Sequence, residues 1–332
     1  MIKRYDWLLI VGVAVAFGLG YLVADCITPP SDPAPVEEVG ATIHSSVRDI
    51  PQPPASEPAA GGQEEVLPDE IHVASRAAPV PSTVERPDTS ALPWRRFAVA
   101  TAAADGRPRI VIVIDDLGVD LKRTARAIHL PAPLTLAFLA YAAEGHRQAA
   151  AARTAGHELL IHLPMEPVGH EDPGPDALLT TLAPDELHAR LTQSLDRFTD
   201  YVGVNNHMGS KFTADRAAMT AVLSEIKTRG LLFLDSRTTT ASVGGAVAES
   251  LGVPFTERNV FLDNIDDRAA IEARLDETEQ LARRHGHAIA IGHPRDATLA
   301  ALEAWLATVQ GRGFVLVPVS AVVHAGPSAM VR

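Results

Sequence analysis

The stretch RIVIVIDDLG, residues 109–118, decides how this chain is read. Ile110 to Ile114 form an unbroken β-branched run, the pattern of a strand buried on both faces. The run leads straight into Asp115 and Asp116. Neighbouring carboxylates repel, and desolvation penalises their charged forms, so something must compensate them. A solvated strand end before a turn at Gly118 accounts for the pair as well as a functional site does. The choice between the two rests on the remainder of the sequence.

Downstream of Arg107, short apolar runs alternate with amphipathic segments, the arrangement of a parallel sheet covered by helices. Strands are expected at 110–114, 134–139, 159–161, 202–204, 231–234, 260–262, 288–291 and 314–317. One helix carries Leu187, Leu191, Leu195 and Phe198 on a single face, with Pro184 in its first turn, where a missing N–H costs nothing. Another gathers Met219, Val222, Leu223 and Ile226. About eight β/α units in roughly 215 residues suit a compact or irregular (β/α) barrel, with an open doubly wound sheet as the alternative.

Most of these strands finish on polar residues able to do chemistry: Asp115 and Asp116, His162, Asn205 to His207, Asp235, Asp263 with Asn264, and His293. In α/β proteins such ends converge on one face, where sites are built. Each residue taken singly could merely cap a helix or form a turn. Their repetition favours a site. Cys26 is the only cysteine, which excludes an intramolecular disulfide and any multi-cysteine zinc site. A metal must then be held by imidazole and carboxylate, which favours zinc over magnesium. Bound at three ligands, it acidifies water and polarises a carbonyl, and a second carboxylate beside the ligand takes the water's proton. On that logic Asp116 binds the metal and Asp115 is the base. The formal net charge of −12, without a basic aromatic-rich cluster, argues against nucleic acid as a partner.

The N-terminal part reads differently. Lys3 and Arg4 precede WLLIVGVAVAFGLGYLVA, residues 7–24, a length that spans a bilayer. The charges keep the N-terminus in the cytoplasm and send the chain beyond Asp25 across the membrane, in a bacterium to the periplasm. Leu22 stands where a cleaved signal wants a small residue, so an uncleaved anchor is expected, ahead of lipid attachment at Cys26. Between Pro29 and Pro93 lie thirteen of the 25 prolines, without sustained apolar periodicity. Such a segment is a disordered, proline-stiffened tether. The expected organisation is an anchor over 1–25, a linker over 26–106 and a folded domain over 107–325.

At its strand ends the chain resembles the NodB-like polysaccharide deacetylases, and more closely their divergent polysaccharide deacetylase branch, over about residues 107–323. IVIVIDDLG is similar to the family strand whose first Asp is the base and second a metal ligand. GHELLIH, residues 156–162, resembles the segment that ends on a metal-binding histidine, which makes His162 a ligand and leaves His157 near the strand start. AIAIGHP implies His293 as general acid on the leaving amine, and LFLDS implies Asp235 as a carboxylate supporting the acid and base. The chain departs from the family at two places. Glu166 stands where a second metal histidine is usual, and VNNHMGS stands where an Arg-x-Pro motif pairs an arginine with the base. His207 in that segment restores the missing imidazole, giving Asp116, His162 and His207 as the ligand set, with Glu166 as competitor. Arg237 or Lys211 could replace the arginine. Asp263 is left outside the site, and the remaining histidines are read as ordinary surface residues. Joined to the anchor and the zinc (Zn2+) read from the residues, the resemblance implies a single-pass inner-membrane protein whose periplasmic domain removes N-acetyl groups from a polysaccharide, peptidoglycan being nearest. A non-catalytic glycan- or partner-binding protein on the same fold, and a hydrolase of another carbonyl substrate, are the alternatives.

Overall fold

The computed structural model describes residues 92–101 and 104–324. The expected anchor and most of the expected tether lie outside the described residues. No helix among the described residues is long and apolar enough to cross a membrane.

Strand β1 (Arg109–Leu117) is followed by α2 (Leu121–Ile128), β2 (Thr135–Leu139), α3 (Gly145–Thr154) and β3 (Glu158–Met165). Then come α4 (Pro184–Leu195), β4 (Gly203–Met208), α5 (Arg216–Thr228), β5 (Leu232–Asp235) and α6 (Gly244–Leu251). Strands β6 (Phe255–Glu257) and β7 (Val260–Phe261), α7 (Arg268–His285), β8 (His287–Gly292), α8 (Asp296–Leu306) and β9 (Val315–Leu316) complete the domain. A short helix α1 (Pro93–Arg96) precedes it. Every ladder is parallel.

The spatial order is β6-β5-β4-β3-β2-β1-β8-β7, with β9 beside β1. β6 and β7 lie at opposite ends of this order, yet only Arg258 and Asn259 separate them in the chain. Eight strands laid flat would hold those edges roughly 34 Å apart. A two-residue link spans about 10 Å. The sheet therefore curls until its edges meet, which decides for an irregular barrel against the open doubly wound sheet. The expected strands are all present; β6 is additional, three residues long and only partly buried.

Two apolar layers follow from the two-residue period of the strands. Ile110, Ile112 and Ile114 belong to the large core shared with the helices, whereas Val111 and Val113 belong to a smaller core with Leu160, Leu234 and Ile291. That smaller core fills the barrel. Pro184 takes the first turn of α4, and the leucine face behind it is buried as expected. Trp94 on α1 is buried in the inner core, its backbone N–H donating to Gly230 O. Phe97 O and Val99 N–H bond to Arg153 and Glu158. The linker expected to run to residue 106 therefore ends earlier: residues from about 93 close the floor of the barrel, the end at which its strands begin.

Candidate functional site

All strands are parallel, so their C-terminal ends share one mouth. Parity selects which side chains point into it. Counting by twos from inner-core residues, Val113 leads to Asp115, Leu160 to His162 and Ile291 to His293, while Val260 and Leu262 of the outer core leave Phe261 and Asp263 with inner parity. Asn205 and His207 follow Gly203 on the same side of β4. Asp116 has the wrong parity. A bulge interrupts the β1–β2 register between Ile114 and Leu117, and Asp116 adopts a left-handed φ of 57°. That irregularity is what lets two consecutive carboxylates face one cleft. Met208 (φ 52°) and Arg237 (φ 52°) are left-handed at neighbouring strand ends. Such residues cost of order 1 kcal/mol each and collect where a site imposes them. The expected turn at Gly118 is present with φ 105°, and a Cβ there would collide with Ala142 Cβ.

His207 Nδ1 lies 2.8 Å and His162 Nε2 3.2 Å from Asp116 Oδ1. Despite these approaches, Asp116 Oδ1 is buried without a hydrogen-bond partner. One ligand atom from each of Asp116, His162 and His207 lies within 4.8 Å of the others. Ligands of a single zinc ion stand roughly 3–4 Å apart when each is about 2.0–2.2 Å from it. The three residues thus fit a divalent cation, and the unsatisfied oxygen gives a physical reason for one. Burial would raise the Asp116 carboxyl, but the two imidazoles outweigh it and hold the group well below the usual carboxylate range. Burial would likewise lower His162, yet Asp115 and Asp116 push it up to about 9. A cation competes with that proton, so metal binding strengthens with rising pH.

Around this centre the chain builds a second layer. Asn205 accepts from His162 Nδ1 at 2.9 Å and donates to Asp115 Oδ1 at 2.8 Å, which aims His162 Nε2 at Asp116. Burial raises the Asp115 carboxyl, with His162 and His293 opposing. His293 Nδ1 donates to Asp263 Oδ1 at 2.9 Å, leaving Nε2 facing the cleft 3.7 Å from Asp116 Oδ2. Asp263 is itself fixed by His293 N–H and the Thr298 hydroxyl. Burial disfavours the charged imidazole of His293, but Asp263 raises it overall.

The candidate residues Asp115, Asp116, His162, His207 and His293 all line one cavity of about 400 Å³. Asp235 does not line it. Leu232 and Leu234 face the inner core, so Asp235 has outer parity, and its oxygens take Arg237 N–H and the Ser242 hydroxyl. The support expected of Asp235 is given to His293 by Asp263, which sequence reasoning left out; strand parity was the signal that separates them. Glu166 turns to Thr180 and to Lys211 Nζ at 2.6 Å, which also occupies Lys211. His157 is buried at the start of β3, accepting from Leu134 N–H and donating to Ile128 O. Arg258, absent from the sequence reading, lines the cavity with Arg237 and Arg295.

The model of the family described as divergent polysaccharide deacetylase matches residues 112–323. A Haemophilus influenzae protein is 35% identical over 209 residues, covering 63% of this chain and 75% of its own length. The Escherichia coli protein YibQ is 34% identical over 217 residues, covering 64% and 68% respectively. Among solved structures, a protein from Agrobacterium tumefaciens is similar with 36% identity and a TM-score of 0.68, over 69% of this chain and 94% of that one.

Proposed function

This chain belongs to the divergent polysaccharide deacetylase family, and on that premise we propose that it is a metal-dependent hydrolase removing N-acetyl groups from a cell-envelope polysaccharide of the peptidoglycan kind. The observation that carries the proposal is the buried, unsatisfied Asp116 Oδ1 set between two imidazoles, with a second carboxylate and a braced histidine alongside. Asp116, His162 and His207 hold the cation, with zinc suited to two imidazoles and a carboxylate. When bound, such an ion polarises a carbonyl and acidifies water.

The chain's own groups complete the hydrolysis. Asp115, oriented by Asn205, takes a proton as water adds to the amide carbon. His293 holds its proton at Nε2 because Nδ1–H is engaged by Asp263, and delivers it to the nitrogen as the C–N bond breaks. The products are acetate and a free amine. Asp115 and His293 follow Ile114 and Gly292, which are paired on the adjacent strands β1 and β8, so base and acid stand side by side and serve one substrate amide.

The test is acetate release from a panel of acetylated glycans by the purified full-length protein with zinc. Asp115→Asn should lower turnover at least about 100-fold and leave the metal bound. Metal loss in that variant would refute the division of roles within the pair. No acetate from a zinc-loaded parent chain would refute hydrolysis and favour a glycan-binding protein. The proposed setting is the periplasmic side of the inner membrane, supported by Lys3 and Arg4 before the apolar stretch of residues 7–24. A reporter active only outside the cytoplasm, fused at residue 100, should be active; an inactive fusion overturns that orientation.

A further inference from the structure

The cleft that holds the acid and base groups is walled by three arginines, in a chain whose formal net charge is −12. Surface arginines of this domain pair with carboxylates, as Arg126 does with Glu303 and Arg229 with Asp196. The cleft arginines are held differently. Arg258 Nε and Nη2 donate to Ser236 O at 2.6 Å and Arg237 O at 2.7 Å, and its guanidinium lies over the Phe261 ring, 4.9 Å from the centroid. Arg295 Nη1 donates to Asp263 O. Arg237 reaches a carboxylate only loosely, at 3.9 Å from Glu257. Among the described residues no carboxylate comes within ion-pairing distance of Arg258 or Arg295.

A partly buried guanidinium satisfied only by carbonyls keeps an uncompensated charge, and that costs stability unless something offsets it. Burial lowers the tendency of Arg258 to hold its proton, with Asp115 and Asp235 opposing it from beyond ion-pairing distance. Arg258 stands on the two-residue link where the barrel closes, so its backbone is fixed by both edges of the sheet. Such a preset cation, backed by a second beside it, suits a planar anion that a guanidinium can grip with two hydrogen bonds. With a divalent cation held by Asp116, His162 and His207, the charges of Asp115 and Asp116 would be offset and would not cancel the field of the arginines.

We infer that the cleft selects an anionic glycan: the acetylated sugar presented to the metal centre is joined to a sugar bearing a carboxylate or phosphate, which Arg258 and Arg237 bind. The inference rests on the deacetylase reading for the acetyl group and adds the charge of its neighbour. Charge-assisted hydrogen bonds of this kind are large enough for a preference of at least about tenfold.

Calorimetric titration of the full-length, zinc-loaded protein tests it with three tetrasaccharides. One is a neutral N-acetylglucosamine tetramer, one alternates N-acetylglucosamine with glucuronate, and one is the neutral tetramer with a phosphate ester. At least one anionic ligand should bind about tenfold or more tighter than the neutral one, and which one does identifies the anion. In Arg258→Gln and, independently, Arg237→Gln, the ratio of anionic to neutral affinity should fall towards one. Equal affinities in the parent chain overturn the inference. So does an equal loss for both ligand types in the variants, the result expected if these arginines only position Asp115 and the loop. Acetate release measured in the same samples separates the two proposals. Anion preference without acetate keeps the charge selection and rejects the hydrolase, while acetate without preference does the reverse.

Discussion

At the floor of the barrel Glu158 is fully buried, and its oxygens accept from Val99 N–H, Ser320 N–H and the Ser320 hydroxyl. At the mouth Asp116 Oδ1 is as enclosed, yet two imidazole nitrogens crowd it and it accepts nothing. The same kind of group meets two fates in one fold. The floor supplies every partner from the chain, so the buried carboxylate ties α1 and the C-terminal turn to β3. The mouth instead gathers Asp116 and two imidazoles around one oxygen that takes no hydrogen bond from the chain, a set of ligand atoms that a cation can join. For these two carboxylates, structure is told from function by whether the chain itself satisfies the buried oxygen.

The comparison breaks if changes at the floor disturb chemistry or changes at the mouth disturb folding. The largest effect is expected from Trp94→Ala, which removes a large buried side chain from the floor. It should cost about 3 kcal/mol in chemical denaturation while zinc affinity stays within twofold. Lost zinc affinity with intact stability would contradict the division. Trp94→Phe, which removes an indole N–H lacking a partner, should cost much less.

Next is Asp263→Asn at the mouth. It should retain metal and stability yet lower acetate release about 10- to 100-fold, since His293 loses the carboxylate that orients it. His293 must act protonated, and Asp263 raises its pKa. Activity is lost as pH rises through that pKa, so the alkaline limb of the pH–rate profile should move to lower pH in the variant. An unmoved limb would leave Asp263 a structural residue.

The smallest effect concerns His157, buried and neutral near the floor. Burial lowers it below its usual value of 6.5, against the pull of backbone acceptors. Between its folded pKa and 6.5 the unfolded chain binds the extra proton. Its contribution is therefore complete above about pH 6.5 and falls as pH drops below that, by up to about 1.4 kcal/mol per pH unit. His157→Gln can keep both hydrogen bonds and should flatten that part of the profile. Parallel pH profiles for the parent and variant would refute it.

The same contrast marks how much was legible in the sequence. Buried strands announce themselves through β-branched runs such as Ile110 to Ile114, and helices through faces such as Leu187, Leu191 and Leu195. β6 escapes because three residues, with only Thr256 buried, carry no period, and α1 because Pro93 reads as the end of a proline-rich tether. At the mouth, Asp115, His162, His207 and His293 follow from strand ends and inner parity. Asp235 is misassigned where parity is ignored, since it follows Leu234 of the inner core and must point outward. Arg258 has no sequence signal: only closure of the sheet across Arg258 and Asn259 brings it to the cleft. Asp116 turns inward through a bulge and a left-handed φ that no pattern of residue types announces.

The central claim is that His207 completes a metal centre with Asp116 and His162 while Glu166 belongs to the loop it braces. Zinc content after dialysis against a weak chelator tests it in the parent chain, His162→Ala, His207→Ala and Glu166→Gln. Both histidine variants should lose most of their zinc, and Glu166→Gln should keep it. Zinc retained by His207→Ala and lost by Glu166→Gln would contradict the claim.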